Sequence, residues 1–195
     1  MRKLGMGVLG VGEMGKRHAE NLRRLVPRAE LLAIADVDGA RASKVAAELE
    51  VSHSYPSLEA MLERKDIQAI LIATPDNFHA NAIETAARAG KDILCEKPLG
   101  VTVESAEKAL QAVAKAGVRL QVGFMRRYDP AYVAASKRIE AGEIGEPVIF
   151  KSIGRDKDMP PLKAYQSGIN GMTFYTNTIH DFDLARWLMH DEVAE

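Results

Sequence analysis

Short apolar runs alternate with amphipathic stretches through the first two-thirds of the chain. Residues 4–10 form a run that ends in glycine and leads into residues 13–25, where Met14, Leu22, Leu25 and Val26 recur near helical spacing. Strand, tight turn and helix are the predicted elements. Residues 31–36 (LLAIAD) read as a second buried strand, 40–49 as an Ala-, Lys- and Glu-rich helix and 58–64 as a short helix. Residues 67–74 (IQAILIAT) are almost continuously apolar, as a strand covered on both faces of a parallel sheet is. Two further units share one grammar. Helix 76–89 ends at Gly90 before strand 92–95, and helix 102–116 ends at Gly117 before strand 118–122, with Asp76 and Thr102 as candidate N-caps. Strands alternating with helices over residues 1–123 predict an α/β fold with a doubly wound parallel sheet.

Beyond Gly123 the pattern changes. Residues 132–141 predict a helix, 147–152 (PVIFKS) a strand, 154–172 a polar loop and 178–189 a final helix. A first domain of residues 1–123 and a partial second α/β domain of 124–195, with an open sheet incomplete in this chain, are the expected division.

Composition narrows the function classes. The 195 residues suit one full domain and part of another, domains commonly running ~100–200 residues. With 26 Lys and Arg against 27 Asp and Glu, there is no basic field for a phosphate backbone, so nucleic acid is not an expected partner. The glycines at 5, 7, 10 and 12 break up the first apolar run before it resembles a signal peptide, and no stretch approaches the ~20 apolar residues of a membrane span. A single cysteine, Cys95, excludes an internal disulfide and a Cys-rich zinc module. A soluble, cytoplasmic small-molecule enzyme is the expectation.

The first turn carries chemistry. Gly10-Val11-Gly12-Glu13-Met14-Gly15 matches G-x-G-x-x-G between a predicted strand and helix, the context that motif requires. Gly10 permits the tight turn, Gly12 leaves room for a pyrophosphate, and Gly15 lets helix and strand approach; Glu13 and Met14 open the helix whose N–H groups face the phosphates. Asp36 closes the second strand near the ~20-residue offset at which a carboxylate binds the ribose hydroxyls. That carboxylate would repel a 2′-phosphate, favouring NAD over NADP, although Arg41 lies close by in sequence. The plainer reading makes the glycines a turn and Asp36 the start of a loop; a methyltransferase also uses a Gly-rich first turn but fits the remaining chain less well.

Cys95-Glu96-Lys97-Pro98 follows the fifth strand, at the sheet edge where open α/β folds hold ligands. Lys97 there can exchange a proton with a substrate hydroxyl, and a cis Lys97–Pro98 bond is open to the sequence. Taken alone, Lys97 reads more readily as a solvated surface lysine, and it is the order of motifs along the chain that favours the functional reading. Cys95 reads as a small apolar strand-end residue rather than a nucleophile, for no base accompanies it.

In order along the chain, GVGEMG with His18, Asp36, Ala73-Thr74-Pro75 with His79, Glu96-Lys97-Pro98, Arg126-Arg127-Tyr128-Asp129-Pro130 and Ile179-His180-Asp181-Phe182-Asp183 resemble the Gfo/Idh/MocA oxidoreductases, nearest to the inositol 2-dehydrogenase-like branch. The resemblance implies a Rossmann domain followed by an α/β substrate domain, and hydride transfer between NAD and a secondary hydroxyl of a cyclic polyol or sugar. It implies Lys97 as the catalytic lysine and His180 as an acid/base or substrate-binding histidine. Thr74, Pro75, Asn77 and His79 would lie along the cofactor, Glu96 near the nicotinamide ribose, and Arg127 and Thr176 at the substrate. It further implies association through the C-terminal sheet, with a second copy or another chain. His180, Leu184 and Trp187 are expected on one helix face. His180, Asp181 and Asp183 suggest no metal, since no second histidine stands at ligand spacing.

The pattern departs in two places. Relatives carry an aspartate four residues before the histidine, where this chain has Thr176; a hydroxyl can bond a sugar but cannot charge or orient His180 as a carboxylate does. The chain is also short for the family. Three readings therefore stand side by side: a dehydrogenase working through Lys97 and His180, a non-catalytic NAD(H)-binding sensor or regulatory subunit, and an inactive truncated member.

Overall fold

In the computed structural model, residues 3–154 and 177–194 are described. They fall into two compact units that divide between Gly123 and Phe124.

The first unit is built on one parallel sheet of six strands, β1 (Leu4–Leu9), β2 (Ala29–Ala35), β3 (Ser54–Tyr55), β4 (Ala69–Ile72), β5 (Asp92–Cys95) and β6 (Leu120–Val122), in the order β3-β2-β1-β4-β5-β6. Its helices are α1 (Glu13–Arg24), α2 (Gly39–Glu48), α3 (Leu58–Leu62), α4 (His79–Arg88) and α5 (Val103–Ala116). The strand order reverses between β1 and β4, which is where a doubly wound sheet opens a crevice beyond its carboxyl ends.

Side-chain alternation assigns the two faces. On β4, Ile70 and Ile72 join a core with Met61 of α3, Ile83 and Ala86 of α4 and Ala109 of α5. Ala69 and Leu71 point the other way, into a core with Ala19 and Leu22 of α1 and Val45 and Ala46 of α2. Each Val, Leu, Ile or Met side chain so buried contributes roughly 1.5–3 kcal/mol. One irregularity interrupts the period. Met6 pairs with Leu31 but Gly7 pairs with Ala33, so β2 carries one extra residue and Leu31 and Ile34 share a face despite their odd spacing.

Several expectations need correction. The helix α1 buries Gly15, Ala19 and Leu22, not the stripe of Met14, Leu25 and Val26, all of which are exposed. Small residues allow the helix to sit close over the glycine turn: a side chain at Gly15 would collide with the Gly10 carbonyl. The stretch after β4 begins as a 3-10 turn (Asp76–Phe78), and Asp76 caps no helix with its side chain. Thr102 does, in a reciprocal capping box with Ser105, while Gly90 and Gly117 take the left-handed conformation past α4 and α5.

In the second unit the described elements are a 3-10 turn (Met125–Tyr128), α6 (Pro130–Glu140) and α7 (Ile179–Met189). The helix α6 starts where Asp129 accepts hydrogen bonds from the backbone of Ala131 and Tyr132 and Pro130 occupies the first turn. Residues 147–152 form no strand, contrary to expectation: Val148 and Ile149 stand exposed and no described residue pairs with their backbone. A β-branched run fits a pleated surface, but it becomes a strand only with a neighbour to bond. The expected loop lies largely among residues outside those described, as does Thr176. Among the described residues no helix is long and apolar enough to cross a membrane.

Candidate active site

A cleft of about 650 Å3 opens in the first unit at the carboxyl ends of β1, β2, β4 and β5. Gly10, Gly12, Glu13 and Met14 border it from the β1 turn and the start of α1, and Asp36 from the end of β2. Thr74, Pro75 and His79 border it from the segment after β4, and Glu96 and Lys97 from the end of β5. Residues far apart in sequence thus meet on one rim because parallel strands all end there.

The glycines take distinct parts. Gly10 has a φ of 81° and lies so near the backbone of Ala73 and Thr74 that a Cβ would not fit. Gly15 packs beneath the turn and does not border the cleft. A Cβ on Gly12 would meet nothing within 4 Å. Its lack of a side chain therefore serves no internal packing, and instead leaves the rim open beside the first N–H groups of α1, where an anionic group is favoured.

Asp36 is buried, and its carboxylate is fully engaged. Oδ2 accepts from the Val11 backbone N at 2.8 Å and Arg41 Nε at 3.1 Å; Oδ1 accepts from the Asp38 N at 2.9 Å and an Arg41 terminal nitrogen at 2.7 Å. Burial pushes the carboxyl up, but the Arg41 bond and the two backbone bonds outweigh it and leave the group below its ordinary pKa.

The Glu96-Lys97-Pro98 segment is held from two sides. Glu96 Oε1 lies 2.7 Å from His18 Nε2 on α1, and its Oε2 accepts from the Lys97 backbone N at 3.3 Å. Burial raises the Glu96 carboxyl, and the His18 bond, the His18 charge and the Lys97 N–H and charge bring it below its usual value. From the other side, buried His79 sets Nδ1 2.7 Å from the Pro98 carbonyl and Nε2 2.8 Å from the Thr74 carbonyl. His79 therefore borders the cleft but spends both ring nitrogens on the backbone of two cleft walls. Lys97, half-buried at the rim, follows a strand fixed by β4 and β6 and precedes a cis bond to Pro98. Cys95 is fully buried; desolvation first, then the Glu96 and Asp76 charges, push its thiol far up, against any nucleophilic use.

Thr74 supplies the test of whether a dinucleotide suits this cleft. Its hydroxyl oxygen is buried and has no hydrogen-bond partner among the described residues, an uncommon state for a native polar group. Together with the open space at Gly12 and the Asp36 carboxylate, it is a polar atom on the wall that a bound ligand can satisfy. Asn77, expected along the cofactor, is exposed in the 3-10 turn and does not border the cleft. Asp76, Phe78 and Arg41 do border it. Of these only Arg41 carried a signal in the sequence, its nearness to Asp36.

In the second unit, His180 is buried on α7 with Phe124 edge-on, ring centroids 6.3 Å apart and planes at 84°. Its neighbours on the helix are anchored by two arginines. Asp181 pairs with Arg126 at 2.5 Å and accepts from Ser152 at 2.6 Å. Asp183, also buried, pairs with Arg127 at 2.8 Å, and the Arg127 guanidinium lies 5.6 Å from the centre of the Trp187 ring. Arg127, expected at a substrate, is thus committed to Asp183 and Trp187. The buried face of α7 contains His180, Asp183, Leu184 and Leu188, with Trp187 only half-buried. Among the described residues no group of three His, Cys, Asp or Glu could hold a metal ion.

Comparison with known proteins shows the family. Residues 4–124 match the family model described as an oxidoreductase family with an NAD-binding Rossmann fold, and residues 132–195 match the Gfo/Idh/MocA C-terminal domain. The chain belongs to the Gfo/Idh/MocA oxidoreductase family. It is 42% identical to the scyllo-inositol 2-dehydrogenase (NAD(+)) of Bacillus subtilis over 96% of this chain and 54% of that protein. It is 39% identical to the inositol 2-dehydrogenase of Rubrobacter xylanophilus over 99% of this chain and 54% of that one. Among solved structures, a probable dehydrogenase from Thermotoga maritima superposes with a TM-score of 0.92 at 35% identity, covering 97% of this chain and 56% of the other. A scyllo-inositol dehydrogenase from Lactobacillus casei, with NAD(H) and scyllo-inositol bound, superposes with a TM-score of 0.82 at 30% identity, covering 98% and 57%. The chain spans about half the length of the curated relatives it matches.

Proposed function

We propose that this chain is the cofactor-binding and partial substrate-binding portion of an NAD-dependent dehydrogenase that acts on a secondary hydroxyl of a cyclic polyol of the inositol type. The observation that carries the reading is the placement of Lys97 on the same cleft as the Gly12 opening and the Asp36 carboxylate. Relatives named inositol dehydrogenases, one of them with NAD(H) and scyllo-inositol bound, support it.

When bound, NAD supplies the site that takes or gives the hydride. The chain's own residues do the rest. Gly12 and the start of α1 admit the pyrophosphate, Asp36 receives the ribose hydroxyls, and the buried Thr74 hydroxyl gains a partner. Glu96 and His79 hold the segment on either side of Lys97. Lys97 Nζ then exchanges a proton with the substrate oxygen as the carbon–hydrogen bond breaks or forms, a role worth roughly 10²–10⁴-fold in rate. His180, set by Phe124 and by the anchors at Asp181 and Asp183, is the second proton-handling group in this reading. Thr176 carries a hydroxyl where many members of the family carry an aspartate.

The test is NADH formation from NAD with scyllo- and myo-inositol, compared between the wild-type chain and Lys97→Ala. Turnover lost in the variant while NADH affinity holds supports the assignment. Dinucleotide binding without turnover on any cyclic polyol favours the sensor reading, for which Thr176 is the motivating residue.

A further inference from the structure

His79 stands in the first turn of α4 and is almost wholly buried. Both of its ring nitrogens face carbonyl oxygens, Nδ1 that of Pro98 at 2.7 Å and Nε2 that of Thr74 at 2.8 Å. A carbonyl oxygen only accepts, and a neutral imidazole has a single N–H, its other nitrogen carrying a lone pair. In either neutral tautomer one lone pair would point at a second acceptor, across a distance at the short end of the ~2.7–3.2 Å range of N–H···O bonds. Only a ring with a proton on each nitrogen donates to both carbonyls. The surroundings favour that charge. Asp76 in the turn before α4, Glu59 on α3, and Glu96 and Lys97 after β5 border the same cleft, three carboxylates against one ammonium. Glu96 is bonded to His18, and its charge and that of Asp76 both reach the buried Cys95 thiol at the end of β5. On α4 itself Glu84 pairs with Arg88; on α5, which packs against it, Glu104 pairs with Lys108, and Glu107 and Lys115 are exposed to solvent. The amino end of α4 disfavours a cation, but by less than a buried carbonyl left facing a lone pair costs.

We propose that His79 is a buried imidazolium brace, joined by one N–H to the wall after β4 and by the other to the wall after β5, and that this doubly bonded state positions Lys97. The bond to the Pro98 carbonyl fixes the residue that directly follows Lys97, and the bond to the Thr74 carbonyl ties that residue to the opposite wall. The brace is complete while both protons are held. As pH rises and one proton leaves, one link breaks, the two walls separate in their bonding, and the segment keeps only its anchor at Glu96. His79 is therefore a positioning residue, acting through Pro98 on its neighbour. The imidazolium follows from the bonding geometry, whereas its effect on Lys97 rests on the dehydrogenase reading above.

Nitrogen-15 NMR of the imidazole rings in the full chain, at about pH 7.5, tests the charge. The His79 signal is assigned by its loss in His79→Gln or, should that variant not fold, by elimination with His18→Gln, His53→Gln, His180→Gln and His190→Gln. The expectation is a proton on each ring nitrogen of His79; a bare nitrogen in the folded chain overturns the brace. NAD reduction with scyllo-inositol, followed against pH, tests the positioning. In the wild type kcat should fall by ~10-fold or more over the pH interval in which NMR shows the second proton leaving, with KM for NAD held within about twofold. His79→Gln, which donates at one carbonyl only, should start at the lowered kcat and lack that step. A wild-type kcat that passes through the interval unchanged, or a step that survives in His79→Gln, overturns the positioning role. Two protonated nitrogens with no turnover at any pH overturn the dehydrogenase reading, whereas a bare nitrogen beside normal turnover overturns the brace alone.

Discussion

The two units use charge in opposite ways. In the first, Val8, Ile34, Ile70, Ile72 and Ile83 are completely buried, and the buried Asp36 and half-buried Glu96 stand at the cleft rather than in the core. In the second, the described buried residues are Ser136, His180, Asp183, Leu184 and Leu188, while Val148, Ile149 and Ile153 face outward. Apolar burial is the largest favourable contribution to folding, so the first unit has the means to hold a site rigid through its sheet. The described second unit relies on Arg126–Asp181 and Arg127–Asp183 to fix the helix that carries His180. One half thus positions its chemistry by packing and the other by ion pairs, and the two should respond differently to substitution and to pH.

Truncating the first core is the strongest way to break this comparison. Ile70→Ala should cost ~2–5 kcal/mol by chemical denaturation; a loss under ~1 kcal/mol would mean the sheet is not what holds the unit together. Arg127→Ala should cost less, ~1–3 kcal/mol after discounting for its partial exposure, because Asp183 would stay buried without its partner. Trp187, the only tryptophan, lies beside Arg127 and reports that loosening directly. A variant that leaves the Trp187 emission unmoved would show that the pair does not fix α7.

Acid sharpens the contrast at the cleft. Asp36 has a folded pKa below its unfolded value, so its contribution is fully present above the unfolded value, about 3.9, and is lost as pH falls through the folded one. Asp36→Asn should therefore lower stability by ~1–2 kcal/mol at neutral pH, with the difference from wild type shrinking in acid. A difference that is flat with pH would argue against an ionised, bonded Asp36. The smallest effect is expected at Thr74. Thr74→Val removes a buried hydroxyl that has no partner among the described residues, so stability should hold or rise by up to ~1 kcal/mol while NADH binding weakens several-fold. Unchanged affinity would remove Thr74 from the cofactor wall.

The sequence exposed those features that depend on neighbours along the chain. The strands β1, β2, β4 and β5 are apolar runs closed by turn residues, and the glycine turn, Asp36 and Lys97 each follow a strand end, which places them on one rim in a parallel sheet. Features set by distant partners stayed hidden. The strand β3 is two residues at the sheet edge, too short for a period to show. The run at 147–152 has strand composition but no described neighbour to pair with. The buried face of α1 consists of small residues because the helix lies close over Gly10, a contact that a scan for large apolar side chains overlooks. In the site, the link between His18 and Glu96, the bridge made by His79 and the fork of Arg41 on Asp36 arise only when separate strand ends converge.

The central claim is that the first unit binds NAD(H) through the opening at Gly12. Titration of the wild-type chain and of Gly12→Val with NADH, followed by nicotinamide fluorescence, addresses it most directly, since a Cβ at Gly12 meets no atom within 4 Å and the substitution should leave the fold intact. The account predicts saturable binding by the wild type and a loss of at least ~10-fold in affinity for Gly12→Val, with little change in thermal stability. No saturable binding by the wild type, or equal affinity in the two proteins, would contradict it.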